Sequence, residues 1–242
     1  MPDPVFDDPR LAAIYDPLEP LRPDLVAYNA LVDEFGARTV LDVGCGTGTL
    51  ACLLAGRGID VVAVDPAMAS LDVARSKPES DRVRWLHCDA TSLPDLNVDL
   101  ATMTGNVAQV FLTDSEWNST LQGISAALRP GGHLAFETRD PAKQAWRGWE
   151  RQPTERSTVI PGVGKVETWT EVVEVSTPLV TFRQHYLLKG ELITSDSTLR
   201  FRDRDEVERS LVQNGFVVED VRDAPDRPGL EFVFVASARS QT

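Results

Sequence analysis

The chain has 242 residues, 42% of them apolar, enough to bury one full-sized core with a modest insertion. Its net charge of −13 is spread along the sequence, the wrong sign for gripping a phosphate backbone, so nucleic acid is not an expected partner. No apolar run approaches the roughly 20 residues of a spanning helix and no basic start leads into an apolar stretch; the expectation is a cytoplasmic protein with no membrane partner.

Residues 8–36 read as helical in two pieces, interrupted by the proline-rich stretch at 16–23. From residue 38 strands and helices alternate: a short buried strand at Val40–Val43, a glycine-rich turn, and a helix from Thr49 to Arg57 ended by Gly58. Further strands follow at Val61–Val64, Val83–His87 and Val98–Met103, with a helix over 67–76. A helix over 114–128 stops at Pro130-Gly131-Gly132, before a fifth strand at His133–Thr138. Strands separated by helices of this length predict right-handed crossovers and a parallel, doubly wound α/β sheet.

Near residue 141 the rhythm changes. Val166–Val175, Val180–Leu188 and Leu192–Phe201 are rich in β-branched residues, with breaks at Thr177-Pro178 and Lys189-Gly190. This predicts an antiparallel β meander inserted before the last helix at 205–214 and the final strands Phe216–Val221 and Glu231–Ala236. The expected organisation is a helical cap at 1–37, a Rossmann-like domain at 38–140 and 205–242, and a β lid at 141–204.

The segment Val40-Leu41-Asp42-Val43-Gly44-Cys45-Gly46-Thr47-Gly48 runs from strand into helix. Glycines there let a ligand approach the backbone, and the helix start offers free N–H groups. The third glycine comes one residue too early for the dinucleotide fingerprint G-x-G-x-x-G, and no G-x-x-x-x-G-K-[ST] occurs, which disfavours a nicotinamide-dependent oxidoreductase and a P-loop. Asp65 closes the second strand, where a carboxylate can meet both ribose hydroxyls; Asp89 follows the third, within reach of an adenine amino group. The acids Asp42, Asp65 and Asp89 suit a nucleoside carrying positive charge and no phosphate, such as S-adenosylmethionine.

In order, VLDVGCGTG, VVAVDPA, CDATSLP, VDLATMTG and RPGGHLAFE resemble the motifs of class I S-adenosylmethionine-dependent methyltransferases, over roughly residues 38–138. The resemblance implies seven strands, the last antiparallel and inserted between the preceding two. It implies that Gly44, Cys45 and Gly46 pack against the methionine part, Asp65 with neighbouring Pro66 holds the ribose, and Asp89 with Ala90 reads the adenine. Thr104 would lie near the sulfonium, and Tyr15 resembles a tyrosine that closes over the cofactor. Beyond residue 141 the chain resembles small-molecule N- and O-methyltransferases, through MTGNVAQVF, RQHYLL and the predicted lid. The expected activity is methyl transfer to N or O of a small metabolite; a catalytically silent S-adenosylmethionine-binding or regulatory protein is the alternative from another class.

Each candidate has a structural reading beside its functional one. Asp65-Pro66 also suits a helix start, Asp89 also forms turns, and Tyr15 also packs an N-terminal helix. An amine or hydroxyl acceptor must lose a proton, and His185, in a lid strand, is the candidate base; its other reading is a surface histidine. His133 reads as structural and His87 as a packed core residue. Glu137 and Arg139, at the ligand-binding edge of the sheet, either orient an acceptor or form a local ion pair. Asn106 and Gln109 either bond the acceptor or cap a helix; Trp146 and Trp149 either wall the acceptor pocket or pack the insert. Cys45, Cys52 and Cys88 have no C-x-x-C spacing and no histidine in ligand register, so neither a disulfide nor a metal is expected.

Overall fold

A computed structural model describes residues 2–239. The elements in chain order begin with helices α1 (Pro4–Asp7), α2 (Pro9–Leu18) and α3 (Asp24–Glu34), then β1 (Thr39–Val43), α4 (Thr49–Gly56), β2 (Asp60–Val64) and α5 (Met68–Arg75). Next come β3 (Val83–Leu86), β4 (Val98–Met103), α6 (Asp114–Ala127), β5 (Leu128–Arg139) and a short α7 (Arg151–Thr154). The chain ends with β6 (Arg156–Ile160), β7 (Gly164–Ser176), β8 (Leu179–Leu188), β9 (Glu191–Arg200), α8 (Arg204–Gln213), β10 (Phe216–Asp223) and β11 (Glu231–Ala238).

Seven strands form one sheet in the order β10-β11-β5-β4-β1-β2-β3. The strands β1–β5 pair in parallel, whereas β11 runs antiparallel to both β5 and β10. The chain starts at β1 in mid-sheet, builds outward to β3, then crosses back to β4, so the strand order reverses between β1 and β4. Ligands of open α/β sheets bind at the C-terminal ends of such a pair.

Helical spacing of apolar residues covers both faces. On one, α6 and α8 contribute Trp117, Leu121, Ile124, Val207 and Leu211; on the other, α3 and α4 contribute Leu25, Leu31, Val32, Leu50 and Leu54. Phe136 of β5 stacks on Phe234 of β11 with ring centroids 5.3 Å apart, both fully buried. Burial of each such ring stabilises the fold by roughly 1.5–3 kcal/mol, which holds the antiparallel β11 against the parallel part. A capping box fixes the start of α6: Thr113 Oγ1 accepts from the Glu116 N–H, and the Glu116 carboxylate accepts from the Thr113 N–H.

Strands β6–β9 form a second, antiparallel sheet in the order β6-β7-β8-β9, placed in the sequence between β5 and α8. Tyr186 and Leu188 of β8, with Val166 of β7, pack on Val5, Leu11 and Ile14 of α1 and α2. The Val5 N–H also donates to Ser195 Oγ at 2.9 Å, so the N-terminal helices and the second sheet form one roof.

Two boundaries differ from the sequence reading. The helix α2 continues through Pro17, which gives up its bond to the carbonyl four residues back, and ends one residue later at Leu18. Strand β5 begins directly after α6 and contains Pro130-Gly131-Gly132 as an irregularity, where the register against β4 shifts between Val98 and Leu100. A Cβ on Gly132 would lie 3.0 Å from the Val98 carbonyl oxygen, so this glycine serves close strand approach and not helix termination.

Candidate functional site

The loop after β1 is built on positive φ angles: 69° at Gly44 and 54° at Gly46. At Gly44 a Cβ would meet Val107 Cγ2 at 2.6 Å, so the residue is needed for packing against the segment after β4. At Gly46 a Cβ would meet nothing within 4 Å, so this backbone faces open space. The N–H groups of Gly44 and Cys45 donate to the Val64 carbonyl at 2.8 and 3.1 Å, which anchors the turn to β2.

Asp65 braces the same loop. Its Oδ2 accepts from the Gly46 N–H and its Oδ1 from the Ala67 N–H, both at 2.8 Å. The bond to Ala67 carries the chain through Pro66 into α5. Burial pushes the Asp65 carboxyl above its ordinary pKa despite these bonds. A carboxylate has about four lone-pair sites, so two stay free for hydroxyl donors.

Asp42 is fully buried beneath the loop. Its Oδ1 accepts from Thr102 Oγ1 at 3.0 Å, while Oδ2 has no partner. Burial raises its pKa to about 7. An orphaned, desolvated carboxylate oxygen favours a cation above it, which fits a sulfonium nucleoside with an ammonium group and not a pyrophosphate. Cys45 lies beside it, its thiol pKa driven well up by burial.

After β3 Asp89 is exposed, and its Oδ1 accepts from the Thr91 N–H at 2.8 Å, which forms the turn at Ala90–Ser92. Ala90 is buried because α6 passes it closely: a Cβ on Gly123 would come within 1.9 Å of the Ala90 carbonyl oxygen. Tyr15 is half-buried in the cluster that joins α2 to β8, tilted against Phe6 with centroids 5.9 Å apart. Next to it Asp16 accepts from Thr47 Oγ1 at 2.7 Å and pairs with Lys77 at 2.6 Å, tying α2 to the glycine loop.

Thr104 follows β4 half-buried, and beyond it the chain turns through Asn106 at φ 62°. The Asn106 N–H donates to Glu137 Oε1 at 2.5 Å, and its Nδ2 donates to Glu231 Oε1 at 3.3 Å. Its side chain makes no capping bond, and its Oδ1 is buried without a partner. Tyr28 of α3 donates its hydroxyl to Glu137 Oε2. Burial raises Glu137 to about 7 and holds the Tyr28 hydroxyl well above its ordinary value. Gln109 links the edge of the sheet to the roof: its Oε1 accepts from Arg139 Nη1 at 2.8 Å and its Nε2 donates to the Arg200 carbonyl.

Several sequence expectations are corrected. Of the two readings of Glu137 and Arg139, the local ion pair does not form; Arg139 lies 3.6 Å from Glu231, its register partner across β5 and β11. His185, expected as the base, neighbours Tyr186 on β8, and strand alternation turns it to the sheet face away from α1 and α2. There it stacks on Trp169 with centroids 4.6 Å apart, 2.8 Å from Glu171. Trp146 is buried edge-on against Phe201 at the base of the second sheet, packing and not forming a pocket wall. Trp149 packs on Phe182. His87 is exposed, with Nε2 3.0 Å from the Pro66 carbonyl, because β3 ends at Leu86 and leaves it in the loop that follows. His133 stacks on Phe35, as a structural residue would. Among the described residues no group of three or more His, Cys, Asp or Glu side chains could hold a metal, and no helix is long and apolar enough to cross a membrane.

The sequence reading missed Tyr28 and Glu231. Tyr28 fits the helical apolar stripe of α3 and reads as core. The only sign at Glu231 is a carboxylate opening an otherwise apolar strand.

Residues 40–132 match a family model described as a methyltransferase domain. The chain is 37% identical over 120 residues to the cypemycin N-terminal methyltransferase of a Streptomyces species, covering 49% of each chain. It thus spans about half the length of the curated relatives it matches. Its fold is similar to that of Streptomyces venezuelae DesVI, with TM-score 0.79 at 17% identity over 95% of this chain and 98% of that one. It is also similar to S-adenosylmethionine-bound CalS10, an amino pentose methyltransferase of Micromonospora echinaspora, with TM-score 0.70 at 19% identity over 90% and 92%. Residues 40–132 thus match a methyltransferase domain, and the chain shares its fold with solved S-adenosylmethionine-dependent methyltransferases.

Proposed function

We propose that this protein transfers the methyl group of S-adenosylmethionine to a nitrogen or oxygen of a small-molecule acceptor. The observation that carries the reading is the loop itself: open backbone at Gly46, the orphaned oxygen of Asp42 beneath it, and Asp65 at the end of β2 with lone pairs to spare. In this reading Gly44, Cys45 and Gly46 hold the methionine portion near Thr104, and Asp42 balances its positive charge. Asp65, with Pro66 fixing the turn, takes the ribose hydroxyls; Asp89 and Ala90 border the adenine, and Tyr15 closes over the cofactor.

The bound cofactor supplies a methyl group on a positively charged sulfur, which leaves as a neutral thioether. No acid is needed on the leaving side, so the residues of the chain have to align the acceptor, exclude water and take a proton. The roof of α1, α2 and the second sheet excludes water. The segment Asn106–Gln109 and the acids at the ends of β5 and β11 orient the acceptor. The description of CalS10 as an amino pentose methyltransferase supports a small polar acceptor.

The test is incubation of the full chain with methyl-labelled S-adenosylmethionine and a panel of small amines and alcohols. Label in a small product is expected. Cofactor binding with no transfer across the panel would favour a silent binding protein, and no binding would overturn the reading.

A further inference from the structure

The segment between β4 and α6 has little regular structure, only a short turn at Val107–Gln109. Its conformation is therefore set from outside. At its start the Asn106 N–H donates to Glu137, and in its middle Gln109 accepts from Arg139. The rest is held by two arginines from the link between β9 and α8. Arg202 donates through Nη1 to the Ala108 carbonyl at 3.4 Å, and through Nη2 to those of Phe111 at 2.8 Å and Thr113 at 3.4 Å. Arg200 Nη1 donates to the Leu112 carbonyl at 3.1 Å. Between the two arginines Phe201 is buried with Trp146 and Val180, which anchors the link to the second sheet.

Stability alone does not explain Arg202. It is 3% exposed, and its guanidinium lies over the Trp117 ring, 5.3 Å from the centroid. Glu206 lies 3.5 Å from Nε with no hydrogen bond made there, and its Oε1 already accepts from Arg200 Nη2 at 2.7 Å. Burial, with Arg200 beside it, pushes the Arg202 pKa down to about 10. The fold thus carries this charge at a cost. An apolar side chain would fill the space over Trp117 with less penalty. It could not bond three carbonyls of one segment, which a rigid fork of donors does.

A second observation shows what the held segment presses on. Val107 meets the loop after β1: a Cβ on Gly44 would lie 2.6 Å from Val107 Cγ2 and 2.8 Å from Cγ1. The next residue, Ala108, offers the carbonyl that Arg202 Nη1 bonds. A contact path therefore runs from the end of the second sheet through Arg202 and Val107 to the glycine loop.

We infer that Arg202 is a positioning residue for the cofactor: by fixing the carbonyls of Ala108, Phe111 and Thr113 it seats Val107 against Gly44 and holds the glycine loop in its binding form. The inference rests on the reading of that loop as the S-adenosylmethionine site and adds to it a residue that acts only through others. Arg200 has the lesser share, one carbonyl, with its Nη2 engaged by Asp114 and Glu206.

The experiment is calorimetric titration of S-adenosylmethionine into the full chain and its variants, each shown by urea denaturation to be folded at the titration temperature. Arg202→Met keeps packing on Trp117 and removes the donors; it should weaken affinity about tenfold. Val107→Ala loosens the seat on Gly44 and should weaken it by about the same factor. In the double variant the losses should overlap, totalling about tenfold and not about a hundredfold, because both act through one contact. Arg202→Lys, a cation that reaches fewer carbonyls, should lose about threefold. Thr113→Ala is the control for stability alone: it weakens the start of α6, leaves the bonded carbonyls in place, and should stay within about twofold. An Arg202→Met affinity within about twofold of wild type, losses that multiply in the double variant, or an equal loss in Thr113→Ala would overturn the inference. Should Arg202→Met not fold, Arg202→Lys decides, and wild-type affinity there overturns it equally. No binding by wild type would instead sink the reading of the loop as a cofactor site.

Discussion

Asp65→Ala is the perturbation with the most calculable consequence. The carboxylate holds two backbone N–H groups, those of Gly46 and Ala67, at 2.8 Å each. Hydrogen bonds to a charged group contribute about 1.5–3 kcal/mol apiece. Burial, which raises the Asp65 pKa, offsets part of that gain. The net loss of folding stability is therefore expected near the lower end, about 2 kcal/mol, read by urea denaturation without ligand. Loss of cofactor affinity should be larger, because the ribose contact disappears and the Gly46 backbone is freed together. A further loss of about 2.8 kcal/mol corresponds to roughly 100-fold in Kd, read by calorimetry under conditions where the variant is folded. A variant with wild-type stability and wild-type affinity would refute the bracing of the loop and the ribose role alike.

Gly46→Ala should cost only the strain of a positive φ, about 1–2 kcal/mol, yet weaken cofactor binding at least tenfold, since the new methyl enters the open space; equal, small losses in both would argue against that space being the cofactor's. Asp42 tests pH dependence. Its folded pKa of about 7 lies above the ordinary aspartate value, so the native state binds the extra proton and stability falls as pH rises between roughly 4 and 7. The fall between pH 5 and 8 is on the order of 3 kcal/mol, Asp42→Asn should remove much of it, and denaturation curves at those two pH values measure it. Thr113→Ala removes the capping box of α6 and should cost about 1 kcal/mol without changing cofactor affinity.

The parallel half of the fold was legible because each buried strand is a short apolar run bounded by glycine, proline or a helical stripe. The position of β11 was legible only through the family resemblance, since nothing in EFVFVA states which strands it separates. The break between the first helices and the end of α6 were both legible, but α2 runs to Leu18, inside the expected break, and β5 starts at Leu128 and not at His133, because pairing with β4 extends the strand through Pro130-Gly131-Gly132. Similarly, His87 was read as core because the strand was extended one residue past its end at Leu86.

At the site, the acids that follow strands were readable from position alone. The facing of His185 was not, because residues 183–186 show no clean alternation. The register of β8 against β7 decides it, through Trp169 opposite His185. The network of Tyr28, Asn106, Glu137 and Glu231 joins residues 109 and 125 positions apart. No local pattern brings such residues together; the sheet order does.

Calorimetric titration of S-adenosylmethionine into the full chain, with NADH as the parallel ligand, tests cofactor binding most directly. Saturable one-to-one binding of S-adenosylmethionine, with no comparable heat from NADH, is the expected result. NADH binding as strongly, or no S-adenosylmethionine binding by a folded sample, would contradict the central claim.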